Sequence, residues 1–229
     1  MIDMFLVIIW MLATLTVASA AGILGKRYGV IYPAGILASL VVIAGILASK
    51  IVVFGPFTVS AGVIVFSMTF LITDLISEKW GKREAQKAVW LGFYGNILLM
   101  LSVWIAIQWQ PAPYAIEFSE MFAEVLGLAP RIAFAAMITY LVSQHLDVWS
   151  FNFLKKLTKG KHLWLRNNAS TISSQLVDST LFITIAFYGV FPVLPLILGQ
   201  WMVKVIIALL DTPFIYAVSH LMDKIKPAK

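Results

Sequence analysis

Long apolar stretches alternate with short polar ones along nearly the whole chain. Seven of them lie near 4–24, 29–49, 58–78, 88–109, 131–154, 168–190 and 195–220, each close to the roughly 20 residues that an α-helix needs to cross a bilayer. The gaps leave no room for a soluble domain. The pattern therefore predicts one all-α domain over 1–229, a polytopic transmembrane helical bundle of about seven spans. An N-terminal span over 1–25 precedes a core over 29–220. The first stretch lacks a positively charged start and is followed by Lys26 and Arg27, so it reads as a retained helix and not as a signal peptide. Between the fourth and fifth spans, Phe118, Met121, Phe122, Val125 and Leu126 repeat at helical spacing, with Glu117, Glu120 and Glu124 on the other face. This predicts a short amphipathic helix over 114–128 on the outer membrane surface, with a lid over a substrate path as the sharper alternative.

Two of the apolar stretches are interrupted in the same way. Ser143, Gln144, Asp147 and Phe151 repeat as Ser174, Gln175, Asp178 and Phe182. At these offsets Ser, Asp and Phe share one helical stripe, with Gln beside it. An acid inside lipid costs at least about 2.5–3.5 kcal/mol, so a chain that repeats it on consecutive helices is expected to use it to hold something polar. A short loop joins the two spans, which predicts antiparallel neighbours whose motifs meet near the membrane midplane. The third span adds Asp74 and Glu78 at i, i+4, where like charges repel. Glu78 is expected to reach the inner headgroup region, and Asp74 to face the bundle. Lys204 and Asp211 share a face of the last span, and Pro213 is expected to disturb that helix. Lys50, Arg131 and Lys204 are available as counter-ions, with Arg131 expected at the outer interface. His145 reads as a hydrogen-bonded packing residue. Carboxylates accept hydrogen bonds while Gln and Ser do both, so the set suits a guanine-like edge; sodium, protons or a cationic amine fit the same groups. Ala34-x-x-x-Ala38 and Ala44-x-x-x-Ala48 permit close helix contact, within the bundle or in a homodimer.

Composition supports the membrane reading and narrows the function. Hydrophobic residues make up 61% of the chain and charged residues 12%, more apolar surface than a soluble domain can hide. The net charge of +6 is concentrated in clusters at Lys26–Arg27, Lys79–Lys87, Lys155–Arg166 and Lys224–Lys229. With seven spans all four fall on one side, which predicts an outside N-terminus and a cytoplasmic C-terminus in a cell inner or plasma membrane. They are orientation signals and not a nucleic-acid surface. There is no cysteine, and no metal-ligand spacing, cofactor motif or phosphate loop. No nucleophile is nominated, so no enzymatic activity, cofactor or metal is expected.

The run Phe70-x-x-Thr73-Asp74-x-x-x-Glu78-x-Trp80-Gly81, with Ala85 and Gly92-Phe93, resembles the queuosine precursor transporter family. So do Ser143-Gln144-x-x-Asp147 and the run from Ser170 through Ser174-Gln175-x-x-Asp178-x-x-x-Phe182 to Gly189. The resemblance extends from about Ala44 to the C-terminus. It implies import of 7-deazaguanine precursors (the cyano or aminomethyl base, or queuine) for tRNA modification, with Asp74, Glu78, Ser174, Gln175 and Asp178 carried over first, then Asp147 and Gln144. Members often have proline where Ser67 stands, and many have a six-span core, so this chain reads as that core plus one N-terminal helix. The intramembrane carboxylates also suggest proton coupling. The alternatives are a substrate-binding subunit docked on the energising complex of an ATP-driven vitamin importer, and a membrane enzyme or assembly factor.

Overall fold

The computed structural model describes residues 4–48, 50–127, 130–189 and 192–224. In chain order the elements are α1 (Met4–Tyr28), α2 (Ile31–Leu47), strands β1 (Ile51–Phe54) and β2 (Phe57–Ser60), α3 (Val63–Lys79), α4 (Lys82–Gln108), a 3-10 turn (Pro113–Ala115), α5 (Ile116–Leu126), α6 (Pro130–Leu157), α7 (Leu163–Phe187) and α8 (Val193–Lys224). Each predicted span has a helix, and the protein is an all-α membrane bundle. Among the described residues, α1, α4 and α8 are long and apolar enough to cross a membrane. Lys226 and Lys229, residue 128 of the expected outer helix and the first three residues lie outside the described residues, as does the side chain of Arg131.

The third span begins later than expected. Residues 57–60, which the apolar pattern assigns to it, form β2, paired antiparallel with β1 in the register Ile51↔Ser60 to Phe54↔Phe57. The cause is local: a β-branched run, Ile51-Val52-Val53, is followed by Gly55 at φ +59° and Pro56, which turn the chain back on itself. α3 starts only after Gly62. A Cβ there would meet the Ala44 carbonyl oxygen at 2.6 Å, so glycine lets the start of α3 pack directly on α2. α8 runs unbroken through Pro213.

α3 is buried on all sides from Met68 to Ser77, and α1, α2, α4, α6, α7 and α8 pack around it. A helix apolar on every face belongs in the centre of a bundle, and this one carries Thr69, Thr73 and Asp74 there with it. The α4–α6 contact depends on Gly92: Tyr140 Oη donates to the Val89 carbonyl at 3.0 Å, and a Cβ on Gly92 would sit 2.3 Å from that hydroxyl. Gly92→Ala is expected to destabilise the protein by about 1–3 kcal/mol through overpacking, read as a lower midpoint of thermal unfolding in detergent. A midpoint equal to the parent's would show that Tyr140 moves aside freely.

α5 is amphipathic as expected, with Phe118 and Val125 exposed, and it packs on α4 and the preceding turn.

Candidate substrate site

The twin motifs bond across the α6–α7 interface. Ser143 donates to Asp178 Oδ1 at 2.9 Å, and Ser174 donates to Asp147 Oδ1 at 3.1 Å. Each serine therefore serves the aspartate of the other copy. Ser and Asp stand one turn apart in both motifs, so antiparallel neighbours in register oppose the hydroxyl of one to the acid of the other. Both acids are buried. Their remaining partners differ. Asp178 Oδ2 is ion-paired with Lys204 Nζ on α8, whose ammonium also lies 5.3 Å from the centre of the Phe66 ring. Asp147 Oδ2 instead accepts from Thr73 on α3 at 3.2 Å, and Asp74 lies within hydrogen-bonding reach of the same carboxyl. Gln144 donates to Thr69 at 2.5 Å, whereas neither amide atom of the fully buried Gln175 has a hydrogen-bond partner.

Of the two motif acids, Asp178 lines a cavity that Asp147 does not. A cavity of about 100 Å³ lies among α2, α3, α4, α6, α7 and α8, several times the ~10–15 Å³ that one water occupies on this measure. Asp178 and Lys204 give it a charged end, Thr139, Gln200 and Asn96 give it neutral polar groups, and Phe66, Tyr140 and Phe182 give it aromatic walls. The Thr139 hydroxyl is buried without a hydrogen-bond partner. The lining comes from the halves of these helices remote from the basic clusters. Asp74, Gln144, Asp147, Ser174 and Gln175 do not line it; they form a second polar layer, one helical turn or more further from the hairpin.

A third layer closes the end at the basic clusters. Arg166 on α7, 1% exposed, donates to both carboxylate oxygens of Glu78 at 2.9 and 3.3 Å, and its guanidinium lies 5.3 Å from the centre of the Phe151 ring. Lys155 joins the same carboxylate at 2.9 Å. Glu78, 18% exposed, is thus held by two residues of the basic clusters, one on α6 and one on α7. Asp211 accepts from Asn167 at 3.1 Å. Lys50 is exposed between α2 and β1, away from all of these acids, and makes no ion pair among the described residues. His145 bonds the Leu141 carbonyl at 2.9 Å and packs edge-on against Trp90.

Sequence reasoning missed the cavity's walls and its neutral polar groups. Phe66, Thr139, Tyr140 and Gln200 carry no local signature; only the packing of six helices selects them. Arg166 was visible but looked like one more orientation charge, although its place three residues inside α7 set it apart from its neighbours.

The family model described as "Putative vitamin uptake transporter" matches residues 60–218, the stretch that carries all three polar layers. The chain belongs to this family. It is a transporter and not an enzyme, and a multi-pass membrane protein. It is 31% identical to the "Probable queuosine precursor transporter" of Bacillus subtilis (strain 168), over 72% of this chain and 73% of that one. A Haemophilus influenzae protein of the same printed name is 29% identical over 56% of this chain and 51% of its own length. The "Queuosine precursor transporter" of Escherichia coli (strain K12) is 28% identical over 56% and 54%. The transporter thus spans about half the length of the latter two. No solved structure matches the transporter.

Proposed function

We propose that this transporter imports a 7-deazaguanine precursor of queuosine, and that the cavity at Asp178 and Lys204 binds the base. The observation that carries this reading is the pairing of a carboxylate and an ammonium at one end of a cavity with aromatic walls. A guanine-type edge presents a ring N–H and an exocyclic amine beside a carbonyl. Asp178 accepts from the first two and Lys204 donates to the carbonyl, so the edge replaces the contact that the two side chains make with each other. Thr139 and Gln200 take up polar atoms elsewhere on the ring, and Phe66, Tyr140 and Phe182 offer faces and edges to its plane. The names of the relatives support the same substrate class.

In this reading α1, α2, α3, α4, α6, α7 and α8 span the membrane seven times, and α5 lies on the outer surface. The ends of α1, α3, α6 and α8 and the starts of α4 and α7 carry the basic residues. That common side is cytoplasmic, with the N-terminus outside, in a cell inner or plasma membrane. The cavity then opens toward the outer half, and the Glu78 cluster lies on the cytoplasmic side of it.

The test is uptake of labelled 7-cyano-7-deazaguanine by cells that can neither synthesise nor import it, with and without this chain. Accumulation that depends on the chain and appears as queuosine in tRNA is the expected result. No uptake by cells in which the protein is abundant in the membrane would sink the substrate assignment.

A further inference from the structure

Among the described residues, Asp74 is the acid whose two carboxyl oxygens are both buried without a hydrogen-bond partner. It is fully buried, and neither of its oxygens receives a hydrogen bond from any donor. The hydroxyls in its layer are directed elsewhere, with Thr73 and Ser174 both donating to Asp147. The charged groups that face Asp74 are Asp147 on α6, Arg166 on α7 and Asp211 on α8. The terminal nitrogens of Arg166 are taken by Glu78, one turn along α3 from Asp74, and Lys204 of α8 is held by Asp178. α2 carries no charged residue, and Lys87 and Glu84 of α4 pair with each other near the surface. Nearby, the Asn167 side chain is fixed by its amide bond to Asp211, yet its carbonyl oxygen also has no donor. The layer therefore holds a surplus of buried acceptors around the neighbouring carboxyls of Asp74 and Asp147.

We propose that Asp74 and Asp147 form a binding site for one proton, separate from the base-binding cavity, and that loading and unloading this proton couples transport to the proton gradient. This rests on the transport reading above. A single hydrogen shared by two neighbouring carboxyls supplies the donor that Asp74 lacks and removes one of two repelling charges. A metal cation is the poorer fit, because among the described residues no group of three or more acidic, histidine or cysteine side chains is placed to hold one. Coupling to the base is built into the same helix pair. α7 carries both Asp178 and the Ser174 that bonds Asp147, while α6 carries both Asp147 and the Ser143 that bonds Asp178. A movement of α6 against α7 therefore changes both sites together.

Infrared spectroscopy of the purified full-length protein tests the proton directly, without substrate. A protonated-carboxyl carbonyl band at neutral pH, shifted in D₂O, is expected in the parent and in Asp178→Asn, and is expected to be lost in Asp74→Asn and in Asp147→Asn. A parent spectrum without that band, or a band that both variants retain, overturns the proposal. In proteoliposomes, accumulation of labelled 7-cyano-7-deazaguanine driven by an imposed pH gradient is expected to fall about tenfold or more in Asp74→Asn, while exchange at equal pH stays above background. Accumulation driven by a sodium gradient with pH clamped would also overturn the proton assignment. If the parent takes up no base under any gradient, the transport reading fails, and the infrared band still decides whether the pair holds a proton.

Discussion

Asp178→Asn is expected to bring uptake of the labelled base down to background. The substitution exchanges one of the two accepting oxygens for an NH2 donor, so the two substrate hydrogens can no longer both be accepted, and it leaves Lys204, 2% exposed, with a charge and no counter-ion. Stranding one member of a buried ion pair costs about 3–5 kcal/mol, so the single variant is also expected to be less abundant in the membrane. The double variant Asp178→Asn, Lys204→Met separates the two effects. Removing both charges should restore abundance without restoring uptake, because the apolar methionine offers the base carbonyl no donor. Uptake by the double variant at the parent's rate would show that the ion pair is structural and that the base binds elsewhere.

The second large effect is expected at Arg166, and it is one of stability. Arg166→Met leaves the Glu78 carboxylate inside the bundle with Lys155 as its remaining ionic partner, which is itself half-exposed. The loss is expected at the lower end of the range for a broken buried pair, about 3 kcal/mol, and is measured as unfolding of the detergent-purified protein by heat. The additional change Glu78→Gln is expected to recover most of it, since the carboxylate left with only the partly exposed Lys155 is then gone. A double variant no more stable than Arg166→Met alone would mean that the guanidinium acts mainly by packing on Phe151.

The long helices were legible because bilayer thickness fixes the length of an apolar stretch, and the paired motif was legible because it repeats the same polar residues where lipid penalises them. The β1–β2 hairpin was not, since Ile51–Ser60 is as apolar as the helices on either side and periodicity alone did not separate them. Lys204 stood out by lying off the basic side, but its partner did not. Asp211 sits on the same face two turns away, and yet the ammonium reaches across to Asp178 on α7. Likewise Asp147 and Asp178 occupy equivalent places in the sequence and different surroundings in the fold: one meets α3 with its own acid, the other meets α8 with its lysine. A repeat in the chain does not carry over to the unlike helices against which it packs.

The hydroxyl–acid contacts of α6 and α7 also have a direction. They form two rungs of a ladder, Ser143 with Asp178 and Asp147 with Ser174, that continues to Lys155 and Arg166 gripping one carboxylate. Sliding α7 by one turn, about 5.4 Å, shifts every rung by four residues. One way, Asp178 comes opposite Thr139 and Asp147 opposite Ser170, so each acid exchanges one hydroxyl for another. The other way, Asp147 meets Asp178 and Ser143 meets Phe182. The spacing of a few small polar residues therefore offers each acid a second hydroxyl in one direction of sliding and none in the other.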